Sequence, residues 1–358
     1  MNTTRTHAPV LAIGASVVAA LVLLSVGYLP GVRPFLELTD HEWVYDLHFA
    51  PDGKRLAVVF VGDHAREVTR IYEIPGGNVL KEIPNANDRC AWSPDGSLLA
   101  VLDGNAIDFD IWDTRTWERK QQLHLSILDD LIRSGVIRRD DKNMLVVRRL
   151  WFDEHGNLYV VEDNIGGELE RAHEVPRPHV WWNKGGRLVD GGSFGTSTSK
   201  ESNYDASAAS TAGETRLALN YGGGIQILSV RPGAGGTPAM QLRYQLDGGG
   251  EICLTPDGQY LAMLRREFQI YRLFDDHAEL IYSRKVQPAY NIDVSRIGGL
   301  VAYTSRGQVN VIRIRDGRTV LTIRQDARAI ALSPDEDMLA VVDSEHPESI
   351  RIYRVPSH

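Results

Sequence analysis

The sequence predicts an all-β fold, a seven-bladed β-propeller of four-stranded antiparallel blades, and three observations predict it. First, one hairpin recurs almost verbatim: FAPDGKRLAVV (49–59), WSPDGSLLAVL (92–102), LTPDGQYLAML (254–264) and LSPDEDMLAVV (332–342). Second, weaker copies fill the gaps, FDEHGNLYVV (152–161), TAGETRLALN (211–220) and SRIGGLVAYT (295–304). Anchored on Gly53, Gly96, Gly156, Glu214, Gly258, Gly298 and Glu336, the units lie 38 to 60 residues apart, the spacing of a repeat architecture. Third, an apolar strand follows most hairpins, such as TRIYEI (69–74), FDIWDT (109–114) and FQIYRL (268–273), and a fourth strand follows in most units, such as NVLKEI (78–83) and TVLTIR (319–324). Repetition of a four-stranded antiparallel unit builds a propeller.

The turn explains the recurrence. Pro presets φ for the first central position, Asp bonds its own backbone, and Gly accepts positive φ. Between apolar strands that is a hairpin signal. The segment DIWDTRTWERKQQL (110–123), with Trp112-Asp113, resembles the WD-repeat family and its bacterial relatives with PDG hairpins. The resemblance covers roughly residues 35–358. The family's Gly-His pair is absent from every unit, and only one unit carries the literal Trp-Asp. It implies a rigid platform for protein partners.

Taken in order, residues 1–8 are polar with one cation, Arg5, and are expected on the cytoplasmic side. Residues 9–29, PVLAIGASVVAALVLLSVGYL, carry no charge, and about 20 apolar residues suffice to cross a bilayer as a helix. The expectation is one N-terminal transmembrane helix acting as a signal anchor. Arg5 and the amino terminus before it place the propeller on the non-cytoplasmic side, although Arg33 follows the run. The alternative is cleavage after Gly27 and a secreted or periplasmic propeller. Residues 30–34 form a short linker, and 35–358 the propeller. FLEL (35–38) matches an outer strand that the last unit lacks, so the two chain ends are expected to share one blade.

Insertions are expected near 125–144, as a short amphipathic helix with Leu125, Leu128, Leu131, Ile132 and Val136 at helical spacing, and near 176–203, where the Ser/Thr/Gly part, GGSFGTSTSKESN (191–203), reads as a mobile loop. Trp181, in HVWW, is either a contact residue beside that loop or a ring packed between blades. Cys90 and Cys253 lie in units two and five, too far apart for a disulfide, and read as small buried hydrophobes.

The sequence offers little for catalysis. Gly191-Gly192-Ser193-Phe194-Gly195 matches the hydrolase nucleophile pattern, but that pattern needs a strand-turn-helix elbow, and TSTSK follows it. No tight His or Cys metal spacing occurs, so neither metal nor cofactor is expected. The innermost strands read mainly as Val, Leu, Ile and Ala, without a converging acid or histidine cluster. With 47 acidic against 39 basic residues, the net charge of −8 argues against nucleic acid as partner.

The loops joining strands two and three, and those joining blades, share one face. Asp40, His41, Glu42, Asp63, His64 and Asp103 make one side of it acidic, and Arg265 and Arg284 make the other basic. These residues, with Trp181, are the candidate partner-binding set. The function expected is a membrane-anchored, non-catalytic scaffold or sensor for protein partners at the cell surface or in the periplasm. The alternatives are a propeller hydrolase or oxidoreductase with a small-molecule site at the central channel, or an envelope stability role without a specific ligand.

Overall fold

Among the described residues, twenty-eight strands pair into seven antiparallel sheets of four. The computed structural model describes residues 32–40, 42–61, 67–84, 86–104, 108–125, 145–164, 179–184, 187–193, 205–211, 214–221, 224–232, 238–286 and 291–357. The first strand, β1 (Leu36–Thr39), belongs to the last sheet. Blade 1 is β2 (Trp43–Phe49), β3 (Arg55–Val61), β4 (Val68–Glu73) and β5 (Val79–Pro84). Blade 2 is β6 (Ala86–Trp92), β7 (Leu98–Asp103), β8 (Asp108–Asp113) and β9 (Glu118–His124). Blade 3 is β10 (Leu145–Phe152), β11 (Leu158–Asn164), β12 (His179–Lys184) and β13 (Arg187–Ser193). Blade 4 is β14 (Asp205–Thr211), β15 (Glu214–Tyr221), β16 (Gly224–Pro232) and β17 (Pro238–Asp247). Blade 5 is β18 (Glu251–Leu254), β19 (Tyr260–Leu264), β20 (Glu267–Leu273) and β21 (Ala278–Lys285). Blade 6 is β22 (Ile292–Val294), β23 (Leu300–Ser305), β24 (Gln308–Arg313) and β25 (Thr319–Ile323). Blade 7 is β26 (Ala327–Leu332), β27 (Met338–Asp343), β28 (Ser349–Arg354) and, outermost, β1.

The first strands of successive blades are neighbours all the way round, and β26 meets β2, so the ring closes. Closure relies on β1, whose Leu36 to Thr39 pair with Ile352 to Ser349. Glu37 also accepts hydrogen bonds from Ser349 Oγ at 2.9 Å and Arg351 Nε at 3.2 Å. The chain's first and last strands therefore cover each other's open edge.

Burial follows position in the blade. Second strands lie inside a sheet with both faces covered, so β3 (RLAVVFV) and β27 (MLAVVD) are buried along nearly their whole length. Outer strands face solvent, and β21 (AELIYSRK) is exposed along most of its length. The core lies between blades. Phe60, Leu56 and Val58 of blade 1 pack on Ala340, Val342 and Ile350 of blade 7. Phe109 and Leu123 of blade 2 pack on Leu150 and Trp181 of blade 3. Each of the larger aliphatic or aromatic side chains buried there stabilises the ring by roughly 1.5–3 kcal/mol.

The recurrent turn acts as its residues dictate. The N–H of Gly96 donates to the carbonyl of Ser93 at 2.9 Å, closing a four-residue turn, with Gly96 at φ 71°. Asp95 accepts from Ser93 Oγ at 2.6 Å and from the Ser97 N–H at 3.0 Å. In the last unit Glu336 takes the glycine's place at φ 65°. Its carboxylate reaches the neighbouring hairpin, accepting from Ser295 Oγ and, at 2.7 Å, from the Gly299 N–H.

Within the stretch expected as an insertion near 176–203, blade 3 has its third and fourth strands, β12 and β13, and the Ser/Thr/Gly part beyond Ser193 lies outside the described residues. Trp181 and Trp182 point to opposite faces of β12, as successive strand residues must, and fill the cores towards blades 2 and 4 respectively. The expected helices at 9–29 and 125–144 lie outside the described residues, apart from Leu125. No helix among the described residues is long and apolar enough to cross a membrane.

Candidate functional site: the central channel and its loop rim

The seven first strands surround a cavity of about 370 Å³. All seven blades line it, and the turn prolines Pro51, Pro94, Pro256 and Pro334 stand at one mouth. Against the expectation of apolar inner strands, its wall carries Asp46 and His48 of β2, Arg89 of β6, Arg149 of β10 and Asp293 of β22. Asp205 of β14 and Glu251 of β18 sit close by on the same ring of inner strands. The correction has a physical basis. An innermost strand has only one neighbour in its own sheet, so its other edge presents unpaired N–H and C=O groups. Polar side chains of one blade satisfy the edge of the next. Asp205 accepts from the Ile252 N–H at 2.7 Å, Ser207 from the Leu254 N–H at 2.8 Å, and Asp293 from the Leu332 N–H at 2.7 Å. Donors do the same: Trp92 Nε1 reaches the His48 carbonyl at 3.1 Å, and Arg89 Nε the Val147 carbonyl at 3.3 Å.

Register irregularities aim the charges of blades 1 to 3. The first-to-second-strand pairing shifts between Val44 and Asp46, between Ala86 and Cys90, and between Val147 and Arg149. Each shift adjoins or contains a charged channel residue, and a bulge re-aims side chains in this way. Asp46 receives His48 Nε2 at 3.0 Å, Arg89 Nη1 at 3.4 Å and the Leu47 N–H at 2.8 Å. Burial alone would raise the Asp46 carboxyl, but His48, Arg89 and that N–H outweigh it and bring it down to about 2. Asp293 goes the other way: burial dominates and pushes it up to about 6, against the Leu332 N–H and the charges of His48 and Arg149. Burial also lifts Glu251 to about 7, helped by the nearby Asp205 charge. Cys90 and Cys253 are free, buried thiols on the channel wall. Burial pushes both upward, Cys253 to about 12.

The hairpin mouth has a crosspiece. Arg296 occupies the turn position that holds proline in the strongest repeats, and its Nη2 donates to the Pro94 carbonyl at 2.6 Å. That bond runs from blade 6 to blade 2, across the mouth.

The other mouth is the loop face. Asp40 and Glu42, in the β1–β2 connection, come together on Arg70, which also binds Glu82 at 2.8 Å. Tyr72 donates to Asp40 at 3.3 Å. These acids are half-buried and ion-paired. Asp103 ends β7, where it accepts from the Gly104 N–H at 2.7 Å. His41, Asp63 and His64 lie outside the described residues. Arg265 and Arg284 are exposed in blade 5, beside exposed Arg266 and Lys285. Trp181 is no surface contact: it is 4% exposed, inside the core between blades 2 and 3. Sequence reasoning missed Trp43, which opens β2 at the loop rim and is 57% exposed, with Tyr45 two residues on at 40%. The signal was present as W-V-Y, two aromatic residues alternating with Val44, which is buried on the opposite face of the strand. Ser193 ends β13 opposite His179. Among the described residues no group of three His, Cys, Asp or Glu side chains converges as a metal site would.

No protein-family model matches the chain. It is 31% identical over 105 residues to an uncharacterised WD repeat-containing protein of Synechocystis sp.. That match covers 28% of this chain and 30% of the relative, so the chain spans under a third of the length of the curated protein it matches. Among solved structures, the β-propeller domain of Myceliophteria thermophila Cps50 (Swd1) aligns over 91% of this chain and 100% of its own, with a TM-score of 0.63 and 12% identity. A chain of Kuenenia stuttgartiensis hydrazine synthase aligns over 93% and 100%, with a TM-score of 0.61 and 12% identity. At that identity the likeness is one of fold. Repeat hairpins, seven closed blades and these neighbours agree on the fold: the chain is a seven-bladed β-propeller, with repeats similar to those of a WD repeat-containing protein.

Proposed function

We propose that this propeller is a non-catalytic platform for a protein partner, engaged through the loop rim. The observation that carries the reading is Trp43, a large aromatic ring exposed at the rim although Val44 and Leu47 of the same strand are buried in the core between blades 1 and 7. Tryptophan is enriched among residues that dominate interface energies. Across the ring, Arg265, Arg266, Arg284 and Lys285 of blade 5, with Arg306 and Arg324 of blade 6, are all exposed on the same face. The acids of blade 1 are engaged by Arg70. The partner surface that fits carries acidic groups opposite blades 5 and 6 and a pocket for the indole. Cationic loops steer such a partner and raise its on-rate.

The platform is held at a membrane by residues 9–29 with the propeller on the non-cytoplasmic side, as a scaffold or sensor at the cell surface or in the periplasm. The supports are the uncharged run itself and Arg5 before it.

Crosslinking in intact cells tests the platform. One recurrent partner is expected with the wild type, lost in a Trp43→Ser, Arg265→Glu, Arg266→Glu variant that keeps its melting temperature. Equal capture by both forms would sink the reading. Alkaline extraction and protease accessibility test the anchor, and a soluble form beginning near Tyr28 would replace it with a cleaved signal peptide.

A further inference from the structure

Two residues that line the cavity each hold a buried donor without an acceptor among the described residues. The Nε of Arg149 and the Nε1 of Trp151 are both buried without a hydrogen-bond partner among the described residues. They belong to residues i and i+2 of β10, on one face of one strand, and both residues line the central cavity. A buried donor left unpaired costs about 1–3 kcal/mol, more when it is charged, and calls for an explanation.

The acids nearby do not supply one. Asp205 and Asp293 feel the Arg149 charge. Yet Asp205 is bonded to the Ala206 and Ile252 N–H groups, and Asp293 to that of Leu332. Arg89 differs from Arg149 in being paired: Asp46 lies 3.4 Å from it, and its Nε reaches a carbonyl. Arg149 is also the residue at which the β10 register shifts, so the strand is locally distorted where this cation meets the channel.

We propose that the central channel binds a small organic carboxylate, whose oxygens accept from Arg149 Nε and Trp151 Nε1. A carboxylate matches a guanidinium in shape and charge and leaves an acceptor for the indole. The remaining wall is mixed: Leu150, Leu254, Leu332 and the turn prolines line it together with Asp46, His48, Arg89 and Asp293. A volume of about 370 Å³ is that of a small-molecule site. The Arg296 bridge to Pro94 crosses the hairpin mouth, which favours a compact ligand over the end of a peptide chain. The site is separate from the loop rim, so it stands or falls independently of the partner reading.

The test is titration of the purified full chain with benzoate, followed by intrinsic tryptophan fluorescence and by calorimetry, with benzylamine as the cationic control and inorganic phosphate as a second anion. Benzoate is expected to bind saturably and to change the fluorescence, and benzylamine to have no effect. Arg149→Met keeps the side-chain stem and removes the unpaired charge, so its melting temperature without ligand is expected to equal or exceed the wild type's. Its affinity for benzoate is expected to fall about tenfold or more. Trp151→Phe keeps a ring and removes the donor, and is expected to weaken binding severalfold. If Arg149→Met does not fold, Arg149→Gln replaces it. Equal benzoate binding by wild type and the Arg149 variant would overturn the proposal, as would no heat and no fluorescence change at millimolar benzoate. Phosphate bound in place of benzoate would overturn the carboxylate assignment.

Discussion

On the hairpin face, six described turns close over the same bond, from the fourth residue's N–H to the first residue's carbonyl, in blades 1, 2, 3, 5, 6 and 7. On the loop face, connections run from one residue, between β5 and β6, to twenty, between β9 and β10. One end of the ring is thus fixed by local chemistry and the other is left to vary. The hairpin turns also brace one another. Arg55 donates to the Gly96 carbonyl at 3.2 Å, Arg216 to that of Gly258 at 2.9 Å, and Glu336 accepts from Gly299. Where backbone geometry is over-determined, new binding surface has little room to arise. Where loops are free, it can.

Breaking ring closure should have the largest effect, because both faces depend on it. Leu36→Asp with Leu38→Asp puts two charges where β1 packs on the core of blades 1 and 7. The expected loss is about 4 kcal/mol or more in urea unfolding. A loss under about 1 kcal/mol would mean that β28 does not need its outer partner.

The loop face has one position as constrained as any hairpin. Gly250, between β17 and β18, sits at φ 112°, and a Cβ there would come within 2.2 Å of the Leu264 carbonyl oxygen. Gly250→Ala should cost about 2–4 kcal/mol. Substitutions at exposed Arg265 or Arg306 should stay within about 0.5 kcal/mol. Equal effects at all three would erase the contrast drawn between scaffold and free loop.

The channel between the faces should show in the pH dependence of stability. Asp293 is raised to about 6 from an ordinary 3.8, so its protonated form favours the fold. Its contribution is complete below about pH 3.8 and lost as pH rises through about 6. Asp46 has the opposite sign: its contribution is present above about pH 3.8 and lost as pH falls towards 2. Asp293→Asn keeps an acceptor for Leu332 and should reduce the stability slope between about pH 4 and 6, leaving the part that belongs to Glu251, raised to about 7, while the acid limb below pH 4 persists. An unchanged slope would place its origin elsewhere.

The same contrast governs what could be read in the sequence. The hairpins were legible because Pro, Asp and Gly do their work within four residues, and β1 was legible because the last unit lacked an outer strand. Blade 3 was harder, since β12 and β13 follow a long connection after β11, and HVWW shows no polar alternation when both faces are buried. The channel charges were hidden for a different reason. Asp205 and Asp293 are isolated acids in sequence, and only the closed ring brings each beside the next blade's free N–H. Arg265 is exposed between β19 and β20 and Arg284 near the end of the outer strand β21, positions that the repeat pattern places at the loop face, but the engagement of Asp40 and Glu42 by Arg70 depends on β4 lying next to the β1–β2 connection.

Arg296→Ala should have only a small effect on stability, and it sharpens the comparison most. Its bond to Pro94 is exposed, so its removal should cost less than about 1 kcal/mol. What changes is access. Cys90 and Cys253 line the channel as buried thiols whose ionisation burial opposes, so reaction with a neutral, water-soluble disulfide reagent should be slow in the wild type. Opening the hairpin mouth in Arg296→Ala should speed that reaction at unchanged global stability, because the reagent then enters without unfolding. If the rate is unchanged while Trp43→Ser speeds it, the open end of the channel is the loop rim, and the hairpin face is a sealed floor whatever stands at its centre.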